Sequence, residues 1–463
     1  MPERNLSKYV AAAFAAPRIT LILVVLALCL LGLVTVFTSS YTEALNLRQA
    51  ALDIIAAGGE PNGYEDIGVT FFLEKQAFFA VVGIVVAVIM FLIPPHWWRG
   101  WLPFVAVGIA YLCIFATQVM GVEILGAKRA LSFAGMQVQT TEFCKIAYVV
   151  MLSKVFMDMQ EGRGSGWIWV AEIALGVALP LGLTFIFQSD LGSSMIICVG
   201  LLAVLWTSGY KKRIAVILVI CAIVFVLVNS LSGDSYRSDR WIYADPWNDG
   251  EAGRGTGFQN IRSYYALAGG GLLGVGLGNS HEKFDWLPEA ETDFAFAVLC
   301  EELGLVGAGV VIALFFLLLV SGLWIARSCS SPFGRMAASG LICMLVFQAY
   351  LNMGCVVGLL PTTGKPLPFF SYGGASLVAT FMLIGVIFSV TKDSSEPQRR
   401  RDDLRVVRST SSHRSLSPDD FHAVGTGGRG ASRRSSGDRS LRGTGGGARG
   451  SGRNVGRPYG RGR

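Results

Sequence analysis

The chain has 463 residues, 52% of them hydrophobic and 15% charged, with a mean hydropathy of +0.52. That balance excludes an ordinary soluble domain, because apolar runs of roughly 20 residues recur along it and each is long enough to cross the hydrocarbon core as a helix. The net charge of +7 does not describe a nucleic-acid surface, since residues 392–463 alone hold 17 Lys and Arg against 7 Asp and Glu, leaving −3 for the rest.

Residues 1–17 form a basic cytoplasmic N-terminus, and Arg18 precedes an apolar stretch from Ile19 to Phe37. A signal peptide's apolar region is usually about 7–15 residues, so this longer stretch predicts a retained first span. Residues 41–70 read as a polar loop with a short amphipathic helix at 44–55 and a turn-rich end. Further spans are expected near 71–93, 101–121, 138–158, 167–187, 191–209, 214–231, 298–326, 336–360 and 374–391. The predicted fold is an all-α polytopic membrane domain over 18–391, with about ten helices and a large extracytoplasmic loop, 232–293, between helices 7 and 8. The nine cysteines, mostly inside apolar runs and without C-x-x-C spacing, suggest neither a disulfide frame nor a zinc site.

Alternating the spans from a cytoplasmic start places Arg99, Arg163, Lys211, Lys212, Arg213, Arg327, Arg335 and the C-terminal tail inside, as the positive-inside rule expects. The same alternation places Lys128, Arg129, Arg237, Arg240, Arg254, Arg262, Lys283 and Lys365 outside, against the rule. An anionic ligand on that side would account for them. The tail, 392–463, is rich in Ser, Gly and Arg with few large apolar residues, so it is expected to be disordered and to rest on anionic lipid or dock a partner.

The densest polar stretch runs from Gly269 to Glu302. Its glycines at 270, 274 and 278 have G-x-x-x-G spacing, which suits either close packing or a turn that admits a polar ligand. A nucleotide loop is excluded, since no strand precedes them and no Gly-Lys-Ser/Thr follows. Pro288 suits a first helical position, which would put Glu289 and Glu291 in the first turn and Asp293 on the face of Glu289. Asp293 enters an apolar run, where an ionisable group is costly, so it is the leading candidate for a general base. Glu142 and Lys145 are spaced i,i+3 at a span's outer end, either as a self-satisfied pair or as one wall of a substrate cavity. Asp190, in the turn Gln188-Ser189-Asp190, reads as a helix cap. PTTGKPLPFFSYGG, from Pro361 to Gly374, reads as a rigid re-entrant segment.

At GAKR (126–129), Q-x-x-E-x-x-K (Gln139, Glu142, Lys145), QSDLG (188–192), DPWND (245–249), G-x-G-F-Q (255–259), the stretch 269–304 and LPTTGKPLPFFSYGG (360–374), the chain resembles the SEDS family. These are the FtsW, RodA and SpoVE peptidoglycan polymerases of bacterial division, elongation and sporulation. GNSHEK and PTTG look most like the FtsW branch. Ala130, Thr140-Thr141 and Ser189 depart from the family pattern, as does a longer first outer loop.

The resemblance implies a glycosyltransferase of the plasma membrane, at the division septum, that uses lipid II as donor and acceptor. Its expected partners are a class B penicillin-binding protein transpeptidase and other divisome proteins. It implies Asp293 as the catalytic base and Lys128, Arg129, Arg240, Lys145 and Lys283 as groups that stabilise the departing pyrophosphate. Glu142, Glu289, Asn279, Ser280 and Lys365 complete the candidate substrate-binding set. No cofactor is identified; a divalent cation, Mg or Mn, bridging Asp293 or Glu289 to pyrophosphate is the one candidate, though no ligand cluster demands it. A lipid II transporter and a non-catalytic scaffold that recruits the transpeptidase are the rival readings.

Overall fold

The computed structural model describes residues 3–392 except 62, 125–126, 134–135, 189, 211–244, 252, 256 and 285, and for 3–15, 122–127 and 133–136 only the backbone. The chain divides into two units, 1–400 and 401–463, of which the second lies outside the described residues. Also outside them are the expected span 214–231, Lys211, Lys212, Arg213, Arg237, Arg240 and the tail from residue 393.

Among the described residues, six helices are long and apolar enough to cross a membrane, and two shorter apolar ones accompany them. The first, α1 (Glu3–Ala56), corrects the expectation of a span followed by a loop and a separate helix. Thr35, Ser39 and Ser40 return their hydroxyls to main-chain carbonyls within the helix, so polar residues continue it instead of ending it. Next come α2 (Phe71–Leu92), the short α3 (Pro95–Arg99) and α4 (Leu102–Met120).

Beyond α4 the chain forms a small antiparallel meander, β1 (Gly121–Ile124), β2 (Ala127–Phe133) and β3 (Met136–Gln139). This sheet was not expected in an all-α fold. It folds residues read as an open outer loop, and it delays the next helix, α5 (Thr141–Glu161), to three residues past its predicted start.

Helix α5 carries Glu142, Lys145, Lys154, Asp158 and Glu161, too many charges for a lipid-facing span. Every residue from Thr141 to Asp158 except Phe143 is buried, so protein and not lipid surrounds it. Its inner charges are paired: Lys154 lies 2.8 Å from both Asp158 and Glu172. The following span is continuous through α6 (Gly166–Ile173), a π turn (Ala174–Ala178) and α7 (Leu179–Gln188), and α8 (Leu191–Thr207) follows after a tight turn.

Helix α9 (Phe258–Gly270) lies within the large loop, and α10 (Ala295–Arg327), α11 (Pro332–Val356) and α12 (Gly374–Val390) complete the bundle. α10 is kinked at Gly304, whose φ of 65° no ordinary helical residue adopts. The glycine segment after α9 crosses this kink backbone to backbone. Val275 and Gly276 donate to the carbonyls of Glu301 and Glu302 at 3.0 Å, and Leu305 donates to that of Gly271 at 3.0 Å. A Cβ on Gly274 would lie 2.1 Å from the Glu302 carbonyl oxygen. Of the two readings left open for these glycines, the geometry gives close packing: amides 274–276 are spent within the protein.

At the end of the bundle away from the loops, Trp98 Nε1 donates to Ser389 Oγ at 2.9 Å, and Arg18 donates to the Thr391 carbonyl at 2.5 Å. Lys392 lies over the Phe91 ring.

Candidate functional site

The site gathers at the opposite end, where the start of α5, the α7–α8 turn, the end of α11 and the segment before α12 meet the turn that leads into α10. Pro288 does not begin a helix: residues 288–294 form successive turns and α10 starts at Ala295. The amides of Thr292 and Phe294 both donate to the Glu289 carbonyl, at 3.2 and 3.1 Å. Glu289 itself sits at φ 54°, a left-handed conformation that costs a non-glycine residue about 1–2 kcal/mol. Glu289 and Glu291 therefore do not occupy a first helical turn, as the sequence suggested. Strain of this kind persists only where surrounding contacts hold it, and it gathers at functional sites.

Asp293 is half-buried. A Cβ added to Gly364, which has φ 63°, would lie 3.6 Å from Asp293 Oδ2, so this carboxyl faces a bare stretch of backbone. Asn352 on α11 ties the two segments together, its amide donating to the carbonyls of Asp293 at 2.9 Å and Lys365 at 2.8 Å. Lys365 in turn reaches Asp190 at 2.5 Å, both side chains being buried. Asp190 caps α8 as expected, accepting from the Ser193 amide at 2.9 Å. On α5, Lys145 bonds Glu142 at 2.7 Å and Gln348 Oε1 at 2.6 Å. Gln348 then donates to the Pro366 carbonyl at 3.1 Å. The irregular backbone before α12 is thus satisfied by side chains from the helices around it, as buried irregular backbone must be.

These surroundings set the charge states. Burial pushes the Asp293 carboxyl up, Glu289 adds to this and Lys365 partly opposes it, leaving a pKa of about 6. Burial likewise raises Glu291 to about 7, with Glu289, Glu43 and Asp293 contributing and its own backbone amide opposing. Asp190 moves the other way: burial would raise it, but the Lys365 ammonium and the Ser193 donors together hold it below the usual carboxylate range.

The remaining predicted residues are placed as follows. Ser280 is fully buried, donating to Glu301 Oε2 at 2.5 Å. Lys283 is buried too, 3.1 Å from Glu302 Oε1 and 2.7 Å from the Gly278 carbonyl. Asn279 donates to the Val275 carbonyl at 3.2 Å. Ser280 and Lys283 hold the loop onto the first turns of α10, whereas the Asn279 bond closes a turn within the loop itself. Lys128 and Arg129, both half-buried on β2, donate to the carbonyls of Gln118 at 3.1 Å and Gln188 at 2.9 Å. Arg240 lies outside the described residues. The structure brings Asp293, Glu289 and Lys365 together, with Glu142 and Lys145 joined to them through Gln348. Among the described residues, no group of three or more His, Cys, Asp or Glu is placed to hold a metal ion.

Asn352 and Gln348 were not singled out from the sequence. Their signal was there: two amides spaced i,i+4 inside an apolar run lie on one helix face, and polar side chains in a span find partners inside the bundle. Chemically, a half-buried carboxyl that titrates near neutrality, set against a glycine and framed by paired lysines, suits proton abstraction from a neutral hydroxyl.

Fold and site together define a polytopic membrane protein with a charged, carboxylate-centred site closing one end of a helix bundle. Residues 18–396 match the family model described as cell cycle protein, for FtsW, RodA and SpoVE. Over 348 residues the chain is 35% identical to the peptidoglycan glycosyltransferase MrdB of Escherichia coli K12, covering 74% of this chain and 90% of that one. It is 32% identical over 393 residues to stage V sporulation protein E of Bacillus subtilis, with coverages of 82% and 98%. It is 33% identical over 323 residues to a probable peptidoglycan glycosyltransferase FtsW of Geobacter metallireducens, with coverages of 69% and 85%. The crystal structure of the rod shape determining protein RodA of Thermus thermophilus shares the fold at a TM-score of 0.56 and 24% identity, covering 81% of this chain and 97% of that chain. A chain of a peptidoglycan synthase complex that coordinates polymerization and crosslinking matches at a TM-score of 0.56 and 25% identity, with coverages of 77% and 98%. The chain belongs to the FtsW/RodA/SpoVE family.

Proposed function

We propose that this chain is a peptidoglycan glycosyltransferase that polymerises lipid II in the bacterial plasma membrane. Two relatives bear the name peptidoglycan glycosyltransferase, one of them as probable, and the observation that carries the reading for this chain is Asp293. Its carboxyl titrates at about 6, so at neutral pH it is ionised yet poised to accept a proton. In the proposed step Asp293 takes the proton from the acceptor sugar's 4-hydroxyl as that oxygen attacks the donor's anomeric carbon. The bond to pyrophosphate breaks on the opposite side, inverting the centre without a covalent intermediate. Lys128 and Arg129 bring positive charge for the departing pyrophosphate. Lys145 and Lys283 are tied to Glu142 and Glu302 in this structure and would act through the local field.

The site end of the bundle is assigned to the extracytoplasmic side, with both termini cytoplasmic. The partners are a class B penicillin-binding protein and other divisome proteins at the septum. The test is polymerisation of labelled lipid II by the purified protein with its cognate transpeptidase, comparing wild type with Asp293→Ala. Long glycan strands from wild type alone support the assignment, and strands from both remove Asp293 from the role. If both are inert while the complex still forms, the reading passes to a scaffold.

One observation favours a second reading, lipid II translocation. The Lys154, Asp158 and Glu172 cluster places ionisable groups in the other half of α5, away from the site. A lipid II translocation assay with Lys154→Met and Glu172→Gln separates the two, because polymerisation requires neither residue to touch substrate.

A further inference from the structure

Capping α8 needs only one oxygen of Asp190, the Oδ1 that accepts from the Ser193 amide at 2.9 Å. The other oxygen, Oδ2, takes the Lys365 ammonium at 2.5 Å and Ser193 Oγ at 2.8 Å. A cap gains nothing from a buried lysine, and burying an ammonium is costly unless it is paired. Yet the fold is built to bring this lysine in. Gly192 leaves room for its stem, since a Cβ there would lie 3.0 Å from Lys365 Cγ and 3.2 Å from Cε. Asn352 fixes the main chain of Lys365 and of Asp293 with one amide group. The residue before Lys365 is Gly364, which faces the Asp293 carboxyl.

We propose that Asp190 is a positioning residue for the Asp293 base: by gripping the Lys365 ammonium, it sets how much positive charge the Asp293 carboxyl feels. Asp190 touches no substrate in this scheme. It acts through Lys365, which pairs with Asp190 directly and bears on Asp293 across space. The other charged groups bearing on Asp293 are Glu289 and Glu291 from its own turn. On the neighbouring α5, Glu142 and Lys145 neutralise each other behind the uncharged Gln348. α11 contributes the uncharged Asn352. Among the described residues, Lys365 is therefore the cation that bears on the state of Asp293. Without the Asp190 charge, Lys365 would act on Asp293 alone and weaken it as a base. Without Lys365, Asp293 would face Glu289 and burial unopposed and would hold its proton to higher pH.

The proposal rests on Asp293 being the base of the proposed glycosyltransferase, so its test has a readout that needs no turnover. The full-length protein is treated with dicyclohexylcarbodiimide, which modifies protonated carboxyls, across a pH series, and modification of Asp293 is quantified by peptide mass spectrometry. Asp190→Asn keeps a capping oxygen and loses the charge, and its midpoint falls by about one pH unit, the scale of one close charge. Lys365→Met raises the midpoint by a similar amount. Lys365→Arg keeps the wild-type midpoint, and the double variant Asp190→Asn/Lys365→Met returns close to it.

Opposite shifts that cancel cannot come from a loss of packing. Unchanged midpoints in Asp190→Asn and Lys365→Met, or shifts of the same sign, overturn the proposal. Should Asp190→Asn fail to fold, Asp190→Ser, which also keeps a capping oxygen without the charge, takes its place, and an unchanged midpoint there overturns the proposal. The acid limb of the lipid II polymerisation rate should move with these midpoints. If the midpoints move while the wild type makes no polymer, the positioning role stands and the glycosyltransferase reading falls.

Discussion

Replacing Asp293 by Asn keeps the shape of the side chain and removes its titration, and the sign of the effect on stability follows from the site. In the fold the carboxyl is raised from 3.8 to about 6 by burial and by Glu289, against Lys365. The folded protein thus holds this proton more tightly than the unfolded chain does. Well below the unfolded value both states are protonated and Asp293 costs nothing. Stability then falls as pH rises between the two values, and above about 6 the full cost of ionising the group in the fold remains. A shift of about two units is worth roughly 3 kcal/mol at 1.36 kcal/mol per unit.

Asp293→Asn should therefore be the more stable protein near pH 8, by up to about 3 kcal/mol, with the gain gone near pH 4. For a large chain this is a rise in melting temperature on the order of 5 °C. Tryptophan fluorescence on heating the detergent-purified proteins at both pH values measures it, and polymerisation should be lost in the same variant. A variant that melts below wild type at both pH values, or a gap that does not change with pH, would refute the argument that burial raises this carboxyl.

Lys145→Met strands the buried Glu142 carboxylate and should cost about 3–5 kcal/mol in thermal unfolding, most of it recovered by adding Glu142→Gln. Gly274→Ala places a Cβ 2.1 Å from the Glu302 carbonyl oxygen at a φ of 81°, so limited proteolysis should cut the 269–287 loop in the variant and spare it in wild type. Asp249 accepts from the amides of Glu251, Gly253, Gly255 and Gly257, which hold its carboxyl down at about 2. Hydrogen exchange of those amides should accelerate in Asp249→Ala, while in wild type their protection persists in acid until pH approaches that value.

Hydropathy located the helices because it records contact with lipid: 374–391 was expected and Gly374–Val390 is found, and 191–209 became Leu191–Thr207. It misled where contacts are with protein. The polar residues beyond Phe37, read as the end of the first span, face the interior, Ser39, Ser40 and Thr42 all being buried. The kink at Gly304 was invisible within an apolar run, because its cause is a glycine segment some 30 residues earlier in the chain. The meander after α4 left only a faint trace, a partial apolar alternation in Ala127–Phe133 interrupted by Lys128 and Arg129. Asp293 stood out as a charge entering an apolar run. Its setting did not, since Asn352 on α11 and Gly364 in the segment before α12 come to it only through tertiary packing.

The charges on α5 also bear on how the protein is made. Each central Lys, Asp or Arg costs about 2.5–3.5 kcal/mol when a helix enters lipid alone, so α5 cannot partition by itself as its apolar neighbours can. Lys145 finds Gln348 from a helix synthesised some 200 residues later. The packing around Lys145 is therefore complete only once α11 is made, and a chain truncated before α11 would leave that ammonium without Gln348.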